Sequence, residues 1–257
     1  MLIIPISDDN SDRTITPYVN YLIILLNVIV FVVFQNLGNN NDFTYAYATV
    51  PQEIITGKDL VTPDQVVQDP TTGQEVLIPG LKPTPISVYI TLIVAVFMHG
   101  SIAHIAGNML FLWIFGDNVE NTLGHVRYLI FYLVCGVLAS LSYVYATVLF
   151  GGDPTIPSLG ASGAISGVMG AYLLLFPGRR VTVLLFRFIT QVPAFVVVGL
   201  WFAFQLIAEL GVLGDPNSGG GVAYAAHIGG FVAGLLLIKP FAIGRPPPVQ
   251  STWRPRY

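Results

Sequence analysis

Charge is scarce in this chain. Only 10% of its 257 residues are Asp, Glu, Lys or Arg, against about 25% in an ordinary soluble domain. Apolar residues make up 54%, and mean hydropathy is +0.71. So few charges argue against a water-bathed surface and for lipid as the solvent. Cysteine is nearly missing as well. The single Cys135 excludes an intramolecular disulfide, and its apolar surroundings read as packing. The first twenty residues lack the basic start and small-residue cleavage site of a secretory signal, so the first apolar run is expected to remain as a helix. No H-E-x-x-H occurs, which removes a zinc-protease signature. The net charge of −3 says little by itself, and no metal, cofactor or nucleic acid is expected as a partner.

What is present is a series of long apolar runs. A helix needs about 20 mostly apolar residues to cross a bilayer. Six stretches qualify or nearly do: 17–37, 101–118, 127–150, 159–177, 181–208 and 222–241. A seventh run, ISVYITLIVAVFM (86–98), is too short and suits a re-entrant segment. It ends a long first loop, 38–100, that is polar and rich in proline and glycine in its middle. The expected fold is an all-α membrane protein, a six-helix bundle whose long first loop is partly embedded in the membrane. Six spans put both termini on one side. With the amino terminus in the cytoplasm, nine of the eleven Lys and Arg fall inside, and only Lys58 and Lys82 fall outside. That bias favours cytoplasmic termini, in what is expected to be a prokaryotic cell membrane. The chain divides into a cytoplasmic segment 1–16, a membrane domain 17–241 and a basic, Pro-rich tail 242–257.

Polar groups at membrane depth are costly and point to function. Here they are His104 and Asn108 in the second span, Ser162 and Ser166 in the fourth, Gln205 in the fifth and His227 in the sixth, with Glu209 at the fifth span's outer end. No Asp or Glu falls mid-span. The second, fourth and sixth spans all enter from the outer face. Ser162 lies about four residues past the start of its span and His227 about five. At about 1.5 Å per residue, both sit some 6–8 Å below the boundary. His104 lies at a similar depth, and Asn108 follows one turn on along the same helical face. Stripes of small residues let membrane helices approach closely. Gly163, Gly167 and Gly170 form one stripe, and Ala223, His227, Gly230 and Gly234 form another. The glycines are expected to bring His227 up to Ser162.

A serine hydroxyl is a weak nucleophile until a base takes its proton, and imidazole suits that work. The tetrahedral oxyanion that follows needs fixed donors. The Ser162 backbone N–H at a helix start is one, and the His104 and Asn108 side chains add two more. No carboxylate is placed to orient His227, so the expectation is a dyad, served by a water-filled cavity open to the outer face.

The sequence resembles the rhomboid intramembrane serine proteases over residues 17–241. The resemblance rests on FMHGSIAHIAGNMLFLWIFGDNVE (97–120), GASG (160–163) and AHIGGFVAG (226–234). The family's His-x3-Asn pair falls on His104 and Asn108, its Gly-x-Ser-Gly motif on Gly160 to Gly163, and its His with glycines at +3 and +7 on His227, Gly230 and Gly234. The resemblance implies endopeptidase cleavage of proteins anchored by a transmembrane segment, near the outer surface of the bilayer. Two departures stand out. Some members carry a tyrosine four residues after the nucleophile that supports the histidine ring, and this chain has Ser166 there. The Trp-Arg pair of many first loops is absent.

Rival readings stay open at this level. A rhomboid-like pseudoenzyme would bind membrane proteins without cutting them, although the Ser162 and His227 pair is intact. A small transporter would show paired halves broken at the midplane, and no such repeat is found. An aspartyl intramembrane protease needs two buried aspartates, and none is expected. His99 is read as structural, bonding loop backbone. The Gly-rich connection 209–221 suits a mobile cap or a plain loop.

Overall fold

The computed structural model describes residues 3–68, 73–209 and 224–247. In chain order these form β1 (Ile3–Asp8), α1 (Tyr18–Ile29), α2 (Asn41–Tyr47), α3 (Pro51–Thr56), β2 (Gln65–Gln68), β3 (Glu75–Ile78), α4 (Thr91–Val94), α5 (Ile102–Leu123), α6 (His125–Leu149), α7 (Ser162–Leu175), β4 (Arg180–Leu185), β5 (Phe188–Pro193), α8 (Ala194–Glu209) and α9 (Tyr224–Phe241). The Gly-rich connection beyond Glu209 and the tail from residue 248 lie outside the described residues.

The molecule is built around α7. Every residue from Gly163 to Tyr172 is buried, because α9, α6 and α5 enclose this helix. Glycine makes that enclosure possible. A Cβ on Gly230 would stand 2.1 Å from the Gly163 carbonyl oxygen, and one on Gly234 would stand 2.0 Å from that of Gly167. Gly163 and Gly167 turn their own Cα hydrogens toward Ala139 and Cys135 of α6. The small-residue stripes thus pack α7 on two neighbours at once. Around this core the apolar side chains face outward: Leu25, Val33, Trp113, Ile130, Val148, Phe204 and Leu236 are all exposed. Such a girdle would be unusual against water.

Taken alone, α6 and α9 are long and apolar enough to cross a membrane. The 88–97 segment with α5 would make a third span, bent by 80°. The helical run 18–34, α7 and the described part of α8 are apolar but shorter. A count of six spans therefore does not follow from helix length. The 80° bend agrees with a first loop that turns back at its end. Thr91, Leu92, Ala95, Val96 and Met98 are buried there.

The all-α expectation needs correction. Residues 181–193, read as the start of the fifth span, form the hairpin β4–β5, and the helix begins only at Ala194. Val181, Thr182 and Val183 are β-branched and alternate in burial, which suits a pleated strand better than a helix. Phe186 makes the turn at φ +54°. β1 then pairs antiparallel with β4, with Ile4 opposite Leu184 and Asp8 opposite Val181, to give the sheet order β1-β4-β5. Residues 3–8 of the segment 1–16 are thus paired into a sheet with the body. β2 and β3 form a second, exposed antiparallel pair in the long loop.

The second span also runs further than expected, to Leu123, and Asp117, Asn118 and Glu120 are buried at its end. An aspartate is therefore buried after all. Its partners are structural: Arg13 lies 2.9 Å from Asp117. Arg179 donates to the Asp9 carbonyl, Asn118 and Asp12, and Tyr172 donates to Asp8. Glu120 accepts from the Val19 and Asn20 N–H groups at the start of α1, two donors that have no intrahelical partner.

Candidate active site

Three helix starts meet at one place. Ser162 is the first residue of α7, His104 is the third of α5 and His227 the fourth of α9 as described. The Ser162 Oγ lies 2.7 Å from His227 Nε2. The serine is half-buried and the histidine buried. Because each of these helices directs its positive end here, the site favours negative charge.

The local backbone explains how the serine is presented. Gly160 sits at φ +131°, a conformation nearly closed to other residues. Its N–H donates to the Ala95 carbonyl at 2.9 Å, so the buried end of the long loop anchors the approach to α7. A second tie is the bridge between Thr49 and Ser158, with N–H to O distances of 2.9 and 2.8 Å. A Cβ on Gly160 would fall 2.9 Å from His104 Cε1 and 3.6 Å from Ser162 Oγ. The missing side chain leaves His104 and Ser162 facing one another across that gap.

His104 is held by its helix start: Ser101 caps α5 by accepting from the His104 N–H at 3.1 Å. The Gly100 N–H makes a long 3.4 Å contact to His104 Nδ1, which leaves Nε2 to carry the ring proton toward Gly160 and Ser162. Asn108 is buried one turn further, and its Nδ2 meets no acceptor among the described residues. An amide donor left bare in a protein interior costs roughly 1–3 kcal/mol, so it suits a ligand oxygen. Ser166 donates to the Ser162 carbonyl at 2.6 Å and does not reach the imidazole.

The reading of His99 is half right. It is structural, but its backbone makes the bonds: its N–H and C=O pair with Gln35 at 2.9 and 3.0 Å. Its ring packs edge-on to His104, 5.0 Å between centroids, and to Phe31. A cavity of about 180 Å³ lies beside it, lined by Gly38, Thr44, His99, Gly100, Pro157 and Leu159. A larger one, about 730 Å³, lies among Asp12, Asn121, Arg127 and Arg245, residues that take no part in the serine site.

One neighbour was not assigned a role from the sequence. Gln205 of α8 is buried, and its Oε1 lies 2.8 Å from His227 Nδ1. Trp201, one turn earlier, places its ring 5.9 Å from the imidazole, and Tyr224 stands edge-on at 6.3 Å. The signal was a lone amide in an otherwise apolar stretch.

Comparison with known proteins places the chain in a family. A model of the rhomboid domain matches residues 87–242. The chain belongs to the rhomboid family. It is 33% identical over 147 residues to Rhomboid protein 1, mitochondrial, of Saccharomyces cerevisiae, covering 57% of this chain and 40% of that protein. It is 33% identical over 156 residues to Rhomboid protease GluP of Bacillus subtilis, covering 60% and 26%. The Presenilin-associated rhomboid-like protein, mitochondrial, of Homo sapiens is 31% identical over 147 residues, covering 56% and 36%. The chain thus matches less than half the length of each. Rhomboid-family proteins are integral to membranes, and the family includes serine intramembrane proteases. Mitochondrial and bacterial proteins both match, so kinship does not single out a prokaryotic membrane.

Proposed function

We propose that this chain is an intramembrane serine endopeptidase that cuts transmembrane-anchored proteins near the outer face of the bilayer. The observation that carries this reading is the 2.7 Å contact between Ser162 Oγ and His227 Nε2. Ser162 Oγ attacks the scissile carbonyl carbon while its proton passes to Nε2, and the carbonyl π electrons move onto oxygen. The Ser162 backbone N–H, the His104 ring and the Asn108 amide hold that oxyanion. When the tetrahedral adduct collapses, the imidazolium gives its proton to the departing amine. Water then hydrolyses the acyl-enzyme by the same sequence. No cofactor enters. Gly160, Gly163, Gly167, Gly230 and Gly234 keep the three helices close enough for these contacts.

Helix length supports a site sunk below the surface. With 14 residues, α7 spans about 21 Å, short of the roughly 30 Å hydrocarbon core. In a six-span bundle with cytoplasmic termini, its inner end meets the sheet β1-β4-β5 and its outer end stops some 9 Å below the boundary, within reach of water. Residues 17–241 make up this catalytic unit. The test compares membranes containing the wild-type chain with membranes containing Ser162→Ala, mapping newly formed protein termini. The reading predicts new termini in or beside transmembrane segments with wild type only. Identical termini in both would leave a rhomboid-like binder that does not cut.

A further inference from the structure

We infer that Gln205 is a positioning residue for His227, holding it in the tautomer that can act as base toward Ser162. The inference rests on the proposed hydrolysis and concerns how its base is held. Between Ala194 and Ala208 the sequence reads AFVVVGLWFAFQLIA, with one amide among apolar residues. Burying an amide without a partner is costly. Gln205 is 5% exposed, and its Oε1 meets the imidazole Nδ1 at 2.8 Å.

A carbonyl oxygen can only accept. The contact therefore keeps the ring proton on Nδ1 and leaves the Nε2 lone pair aimed at Ser162, 2.7 Å away. The opposite tautomer would point an N–H at the serine and could not take its proton. Once His227 is protonated, both nitrogens donate, and the Gln205 dipole steadies the Nδ1 side. The amide cannot itself accept the proton. Ser166 is not available for this work, since its hydroxyl is engaged with the Ser162 carbonyl. Trp201 and Tyr224 hold the ring by contact but offer Nδ1 no acceptor there.

The other titratable groups facing this ring are His104 from α5 and Tyr224 from its own helix. α7 carries no Asp, Glu, Lys or Arg. Cys135 of α6 packs against Gly167 of α7, near Gly230 of α9. The only charged residue of α8, Glu209, is outside the described side chains.

The test uses the whole chain reconstituted in vesicles with a transmembrane substrate, comparing wild type, Gln205→Met and Gln205→Glu. Gln205→Met, close in shape but without an acceptor, should lower kcat about 10²-fold with KM changed less than about threefold. Gln205→Glu should recover most of that loss. It should also move the acidic limb of the pH–rate profile up by about one unit, because a carboxylate favours the imidazolium. A purely structural role predicts no recovery by Gln205→Glu over Gln205→Met. Nitrogen NMR of histidine-labelled, resting protein supplies a readout that needs no turnover. His227 should be the Nδ1–H tautomer in wild type and a tautomer mixture in Gln205→Met. A Gln205→Met kcat within threefold of wild type, or an unchanged tautomer in that variant, overturns the inference. The expected tautomers with no cleavage by wild type would uphold the positioning contact and refute the hydrolytic reading instead.

Discussion

Replacing Gly230 with alanine isolates the role of close helix packing. The new Cβ would stand 2.1 Å from the Gly163 carbonyl oxygen and 2.9 Å from its carbon. Ordinary contact begins near 3.4 Å, and both obstructing atoms are backbone, so α7 and α9 must part by about 1 Å. Gly230 lies one turn past His227, and Gly163 directly follows Ser162. A separation of that size stretches the 2.7 Å contact beyond about 3.5 Å, where it is no longer a hydrogen bond. A 1 Å misplacement of reacting groups costs on the order of 10²-fold in rate, and overpacking costs about 1–3 kcal/mol. The control is Gly199→Ala on α8, whose added Cβ would meet nothing within 4 Å. Alanine is favoured over glycine inside a helix by about 1 kcal/mol. Gly199→Ala should keep full activity and lose no stability. Substrate turnover in vesicles and thermal unfolding of both variants decide the matter. If Gly230→Ala cleaves within threefold of wild type, the packing does not set the dyad geometry.

Three further outcomes follow from other parts of the structure. Asn108→Ala removes the proposed oxyanion donor, so kcat should fall about 10²–10³-fold with KM little changed; an unchanged kcat would take Asn108 out of the machinery. Burial raises the Asp8 carboxyl to about 7, partly offset by its bond from Tyr172. The folded chain thus keeps a proton that the unfolded chain releases near 3.8, and this stabilisation fades as pH rises from about 4 through 7. Wild-type Tm should fall between pH 5 and 8 relative to Asp8→Asn, and parallel Tm curves would contradict the assignment. Arg179, 2% exposed, ties Asp9, Asp12 and Asn118 together and stacks 4.0 Å over Phe176. Arg179→Met should cost about 3 kcal/mol in a denaturant titration, and a loss under about 1 kcal/mol would mean the cluster repacks freely.

The candidate site was legible in the sequence for a physical reason. His104, Ser162 and His227 each fall in the first turn of a helix, so a shared depth could be read from span boundaries alone. Glycine at Gly230 and Gly234 marked where backbones touch. The stretches 127–150 and 222–241 agree with the described α6 and α9 within two residues because each is one continuous apolar helix. The stretch 181–193 was misread because hydropathy does not distinguish a β-branched strand from a helix. What decides it is a partner strand, residues 3–8, far away in sequence. Asp117 escaped notice because its burial depends on Arg13 and the folded amino-terminal segment. Gln205 was visible as an oddity, but its partner is set by how α8 approaches α9, which no local pattern encodes.

The most direct measurement is covalent labelling by a fluorophosphonate, which reacts only with a serine whose proton has a base to go to. With the chain in vesicles, mass spectrometry should find the adduct on Ser162 in wild type and not in Ser162→Ala, with His227→Ala reduced to background. Equal labelling of wild type and Ser162→Ala, or full labelling of His227→Ala, would contradict an activated hydroxyl held against that imidazole.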